Sequence, residues 1–206
     1  MKRIEIHPVN PQPRLIGQVA AQFQTGALVA LPTDASYVLA CHLEDRQAVE
    51  RLRQVRGIDD KHLLTLMCRD LSELSQYAQV DNRQFRFLKE WAPGAYTFIL
   101  PATREVPRRL MHPSRKTLGL RVPDAPIVLA LLAELGAPLL CASLILPGDE
   151  NPLSEPDDIA DRIGKRIDLL VDGGAGSLEA TSVIDVTGDE PVIQRVGLGP
   201  VEAMLR

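Results

Sequence analysis

A proline, a threonine and an aspartate, Pro32-Thr33-Asp34, stand where an apolar run stops. A strand ending there would leave loop backbone, a hydroxyl and a carboxylate facing a crevice beyond the sheet edge, where open α/β sheets bind ligands. The same tripeptide also fits a strand-ending turn in which Asp34 bonds its own backbone. Arg121 resists such a bland assignment, because it interrupts the apolar stretch at residues 117–122 and needs a partner if buried. Residues 83–121 hold nine Lys/Arg against Glu90 and Glu105, whereas residues 149–206 hold thirteen Asp/Glu against five Lys/Arg. The basic segment could attract phosphates or nucleic acid, but charge position alone favours a solvated face. Cys41, Cys68 and Cys141 each lie in an apolar run without metal-ligand spacing and read as buried reduced thiols. His7, His42, His62 and His112 are scattered and read as surface or satisfied core histidines, so no metal centre is expected.

The elements that must hold these groups follow from periodicity. Leu15, Ile16, Val19, Ala20 and Phe23 share one helical face over residues 14–24, and Gly26 follows where a left-handed residue would end the helix. Residues 27–31 and 37–41 read as buried strands, and Asp45 caps a helix carrying Val49, Leu52 and Val55 that closes at Gly57. A strand over 62–68 precedes a helix begun by Asp70. Asp81 or Asn82 begins another, carrying Phe85, Leu88 and Trp91 until Pro93-Gly94 breaks it. Strands at 96–100 and 117–122, a helix at 127–135 ended by Gly136, and a strand at 139–146 come next. A helix at 156–165 and strands at 167–171, 182–186 and 191–195 finish the chain.

The two final strands have no helix between them, which argues for a mixed rather than strictly parallel sheet. The expected fold is therefore α/β, a twisted mixed sheet flanked by helices, in a single domain over residues 1–206. A composition 45% hydrophobic and 24% charged excludes a disordered or collagenous chain. No run approaches the roughly 18 to 20 apolar residues of a membrane span, and no apolar stretch follows the positive N-terminus. A soluble, cytoplasmic protein without a membrane partner is expected.

Four motifs occur in order: Leu31-Pro32-Thr33-Asp34-Ala35-Ser36-Tyr37, Pro93-Gly94-Ala95-Tyr96-Thr97-Phe98-Ile99-Leu100, Gly119-Leu120-Arg121-Val122-Pro123 and Thr181-Ser182-Val183-Ile184-Asp185. Together they resemble the YrdC/YciO family over nearly the whole chain. Residues 65–75 are most similar to the YciO branch. The resemblance implies a YrdC-like single domain with a basic concave cavity. It also implies a chemistry: L-threonine, bicarbonate and ATP, normally accompanied by Mg²⁺, give threonylcarbamoyl-adenylate and pyrophosphate for tRNA modification. Such a site must screen a triphosphate and hold a carbamate against the α-phosphorus, which calls for clustered cations and hydroxyls. Carried over, the resemblance gives Thr33, Arg121 and Ser182, or Thr181 beside it, to the amino acid. It gives Thr97, Ser143 and Arg195 to the nucleotide, and places Arg56 at the lysine of a Lys-x-Arg motif. Arg56 and Ser143 are then the expected catalytic pair.

The chain departs from that pattern twice. Arg56-Gly57-Ile58 replaces Lys-x-Arg, and Ser143-Leu144-Ile145 replaces Ser-x-Asn. If both isoleucines face the phosphates, each removes a donor worth about 10² to 10³ in rate, and synthesis should be feeble. Lys61 is the residue that could restore the missing charge. Two readings follow: a synthase-type nucleotidyltransferase, which is preferred, and a double-stranded RNA or tRNA binding protein without efficient catalysis. With 4% aromatic residues the chain lacks the stacking platforms of a single-strand binder.

Overall fold

Short apolar runs of this composition cannot bury themselves singly, and in the computed structural model, which describes residues 1–206, they assemble into one ten-stranded sheet. The strands are β1 (Lys2–Glu5), β2 (Val29–Leu31), β3 (Val38–His42), β4 (Thr65–Met67), β5 (Tyr96–Pro101), β6 (Thr117–Arg121), β7 (Leu139–Ser143), β8 (Leu169–Asp172), β9 (Ser182–Asp185) and β10 (Val192–Arg195). Their spatial order is β1-β8-β2-β3-β7-β4-β6-β5-β9-β10. Pairing is parallel at β1/β8, β2/β8, β4/β6 and β5/β9 and antiparallel elsewhere, the mixed sheet that the sequence leads one to expect.

Six α-helices flank the sheet: α1 (Pro13–Gln24), α2 (Arg46–Arg56), α3 (Leu71–Tyr77), α4 (Asn82–Trp91), α5 (Pro126–Leu135) and α6 (Pro156–Ile163). Their ends follow local chemistry. Asp45 and Asp70 accept backbone N–H bonds as N-caps, and Asp81 forms a capping box with Gln84. Gly57 and Gly136 end α2 and α5 in the left-handed conformation.

The two sheet faces are unequally covered. On one, Leu39, Leu66, Phe98, Leu120 and Leu140 join a 37-residue core closed by α2, α3, α4 and α6. On the other, α1 and α5 pack a 21-residue core over Val29, Leu31, Val38, Met67, Leu139 and Leu169. These two helices lie over the β1-to-β7 side of the sheet, and the face of β4, β6, β5 and β9 beyond them stays open.

Several expected ends shift by a few residues, and one strand is new. Residues 62–64 precede β4 as loop, residues 144–146 leave the sheet after Ser143, and β1 was not expected at all. β1 is four residues long, buries only Ile4 and exists by pairing with β8, a contact 167 residues away at Lys2↔Leu169 that local pattern does not encode. No helix is long and apolar enough to cross a membrane.

Helix α2 matters to the site because its last residue is Arg56, and its first turn rests on the Asp45 carboxylate, which accepts the Ala48 N–H at 2.9 Å. Asp45→Ala should cost about 1 kcal/mol of stability and lower Tm by about 2 to 4 °C, checked by thermal unfolding.

Candidate functional site

Strand alternation sends every second side chain to the open face. Thr65, Thr97, Ile99, Gly119, Arg121, Cys141, Ser143 and Val183 therefore converge from five strands on one cavity of about 340 Å³. Arg56 enters from the end of α2, and Lys61, His62 and Leu63 enter from the loop that precedes β4. Gly119 forms part of the floor: a Cβ there would stand 2.7 Å from Thr65 Oγ1 and 2.9 Å from Thr97 Cγ2.

The electrostatics are one-sided. Arg56, Lys61, Arg121 and Arg195 line the cavity, and no Asp or Glu does. Burial, then the charge of Arg195, pushes the Arg56 pKa down from its ordinary value; partial desolvation does the same to Arg195, which stays exposed at the cavity mouth. The Arg56 guanidinium donates from Nη1 to the Ile145 carbonyl, while its Nε is buried without a partner. Such a group favours an incoming anion, because the cost of desolvating it is already met by the fold.

Arg195 reaches the cavity through a register shift. Ile193 pairs with Ile184, yet Arg195 pairs with Val183, so one extra residue is accommodated between them. Ile193 packs on the larger core; without this bulge Arg195 would face the same way. Its Nε and Nη2 donate to the Thr181 carbonyl at 3.1 and 2.8 Å, and Thr181 Oγ1 lies 2.8 Å from Thr97 Oγ1. Cys141 also lines the cavity, but burial pushes its thiol up to about 12, which leaves it protonated and unreactive.

Of the residues singled out in the sequence, Arg56, Lys61, Thr97, Arg121, Ser143 and Arg195 come together in this cavity. Ser182 does not: alternation turns it to the opposite face, where its Oγ donates to the Gly199 carbonyl at 2.6 Å and accepts the Gly197 N–H at 2.9 Å. Its neighbour Thr181 is the hydroxyl that lines the cavity. Thr33 is also outside, because its Oγ1 closes a local turn, donating to the Ser36 carbonyl at 2.7 Å and accepting the Ala35 N–H at 3.0 Å. Ser36, from the same turn, lines the cavity instead. Asp34 does not bond its own backbone; it pairs with Arg121 and accepts the Asp124 N–H at 2.9 Å.

Neither isoleucine lines the cavity. Gly57 and Ile58 N–H groups bond back to the Gln54 and Arg53 carbonyls, and this paired cap turns Ile58 onto the core side of the helix end. Ile145 contributes only its carbonyl, to Arg56. His62, read from the sequence as ordinary, lies in the cavity; its signal was its place beside Lys61 just before a strand, which carries no weight until the loop is folded.

Comparison with known proteins matches residues 21–197 to the Sua5/YciO/YrdC family, described as telomere recombination. YciO of Escherichia coli strain K12 is 51% identical over 200 residues, 97% of each chain. Its crystal structure matches with a TM-score of 0.96 over 99% of this chain and 100% of that one. The threonylcarbamoyl-AMP synthase of Halorhodospira halophila is 30% identical over 178 residues, 86% of this chain and 92% of the synthase. P. abyssi Sua5 complexed with L-threonine matches with a TM-score of 0.90 at 25% identity, over 99% of this chain and 60% of that one.

Desolvation first, then the charges of Arg56, Arg53 and Arg195, hold the His62 pKa below its ordinary 6.5, with Asp59 opposing. As pH falls through about 6.5 the unfolded chain therefore takes up this proton before the folded one, so His62 removes stability in the acid range below that value. His62→Gln should make stability less acid-sensitive there. An NMR titration should give the His62 pKa below 6.5 in the free protein and raise it when pyrophosphate is added.

Proposed function

We propose a function from one premise: the chain belongs to the Sua5/YciO/YrdC family. The protein joins L-threonine, bicarbonate and ATP into threonylcarbamoyl-AMP and releases pyrophosphate. The observation that carries this reading is the convergence of Arg56, Lys61, Arg121 and Arg195 on one cavity without a lining carboxylate, beside hydroxyls of Thr97, Ser143 and Thr181. A site so charged favours a ligand with several negative charges held in fixed positions.

The chemistry divides in two. The threonine amine attacks the carbon of bicarbonate, water leaves, and a carbamate forms. A carbamate oxygen then attacks the α-phosphorus of ATP, and the bond to the pyrophosphate oxygen breaks. Both reactants of the second step are anions, so the protein must hold them together against their repulsion. Arg56, Lys61 and Arg195 are the groups available to screen the triphosphate as negative charge moves onto pyrophosphate. Arg121 is the group suited to the amino-acid carboxylate, since a guanidinium can give a charge-assisted hydrogen bond. Thr97 and Ser143 add neutral donors. Mg²⁺ prefers oxygen ligands with negative charge, and the cavity lining has no carboxylate to offer it. These residues do not build a magnesium site, so the ion would enter on the nucleotide's own phosphates.

Activity need not be as feeble as the two isoleucines imply. Ile58 points away from the cavity, and Arg56 and Lys61 already bring two positive charges from the same stretch of chain. Threonine- and bicarbonate-dependent release of pyrophosphate from ATP tests the proposal. Arg56→Ala should lower that rate by about 10² to 10³. Ile58→Arg should leave it unchanged, because the new guanidinium would lie outside the site. A parent that releases no pyrophosphate and binds neither ATP nor threonine would overturn the synthase reading. Binding of double-stranded RNA with a steep salt dependence would then identify the cavity's anion as a nucleic-acid backbone.

A further inference from the structure

Pro32-Thr33-Asp34 is the motif that the cavity does not absorb. Neither Thr33 nor Asp34 lines it, yet both are held in place by specific bonds. Thr33 Oγ1 fixes the turn through Ser36 and Ala35, and Asp34, carried on that turn, pairs with the Nη2 group of Arg121. The same Nη2 donates to the Gly94 carbonyl at 3.3 Å, and the second Asp34 oxygen accepts the Asp124 N–H. Three segments, after β2, before β5 and after β6, are thus joined at one ion pair.

Arg121 is 2% exposed, so few of its nitrogens can meet a ligand. Its Nε is buried without a partner, and its Nη2 is engaged twice. Nη1 forms no hydrogen bond within the protein and is the nitrogen left to serve the cavity that Arg121 lines. We infer that Asp34 is a positioning residue: it holds one side of the Arg121 guanidinium, with Thr33 fixing the turn beneath it, so that Nη1 is aimed at the carboxylate of an amino-acid ligand.

This inference rests on the synthase reading for the identity of the ligand, but the hold on Arg121 does not depend on it. The geometry also sets a selectivity. With Nη2 occupied, Nη1 offers a carboxylate an end-on contact rather than a two-pronged grip on both ends of the guanidinium. The amino acid is then oriented by one fixed point of charge, and loosening that point should affect it far more than it affects the nucleotide, which faces Arg56, Lys61 and Arg195.

The test uses the full chain with Asp34→Asn, which keeps the shape and the acceptor for the Asp124 N–H while removing the charge. L-threonine affinity, measured calorimetrically in the presence of ATP, should fall about tenfold or more, as misaligned contacts do, with ATP affinity unchanged. Asp34→Glu should recover part of the loss. In an Arg121→Gln background, Asp34→Asn should have no further effect, because Asp34 acts only through Arg121. The Nε–H resonance of Arg121 provides a readout free of any ligand: because Nε is buried, it should exchange slowly with solvent in the parent and faster in Asp34→Asn. Equal losses for threonine and ATP, a lower Tm with threonine affinity intact, or an unchanged Nε–H exchange rate would each overturn the inference. A parent that binds no threonine but whose Arg121 Nε–H responds to Asp34→Asn would sink the synthase reading and leave the positioning role standing.

Discussion

Half of one sheet face is left without a helix, and strand alternation then decides which side chains of the crossing strands lie in the gap. Each strand that crosses it must send one side chain in two toward the open space and the other into the larger core. Leu66, Phe98, Leu118, Leu120 and Ile184 take the core positions, which frees their neighbours Thr65, Thr97, Gly119, Arg121 and Val183 for the cavity. The apolar half of each strand anchors the sheet, and the polar half is carried into place with no additional structure. A one-residue slip would exchange the two sets and bury Arg121 in the larger apolar core.

Placing charges in such a gap is costly unless each is held. Arg121 is neutralised by Asp34 within the protein, whereas Arg56 and Arg195 have only uncharged oxygens as partners. The cavity therefore carries one compensated and two uncompensated guanidinium groups, with Lys61 at its exposed side. That difference divides the site electrostatically. On one side Arg56 and Arg195 present charge that no carboxylate of the protein offsets, and on the other Arg121 is already fixed by its own counter-charge.

The basic character of residues 83–121 does not supply this field. Of its nine cationic side chains only Arg121 lines the cavity. Arg83 and Arg109 cap backbone carbonyls at Gly188 and Leu43, and Arg108 and Lys116 lie beside a separate surface groove. The acidic C-terminal segment is likewise tied outward, with Asp149 bound to Arg162, Asp168 to Arg51 and Asp172 to Arg3. Charge counted along the chain and charge gathered in space are different quantities here, because the cavity draws single residues from α2, β6, β10 and one loop.

The sequence by itself determined the elements and most of the residues that meet. Period-two apolar runs, aspartate caps and glycine stops are local, so nine of the ten strands and all six helices were legible, as was the interruption at Arg121. Tertiary structure decided which side of the sheet each residue serves. Thr181 rather than Ser182 enters the cavity because pairing with β5 fixes the face of β9. Arg195 enters only because a bulge in β10 reverses its face after Ile193. Ile58 is withdrawn by the cap of α2, and Asp34 serves Arg121, 87 residues away, instead of its own turn. Each of these outcomes depends on register or on a contact between distant segments, and neither quantity is written in the spacing of neighbouring residues.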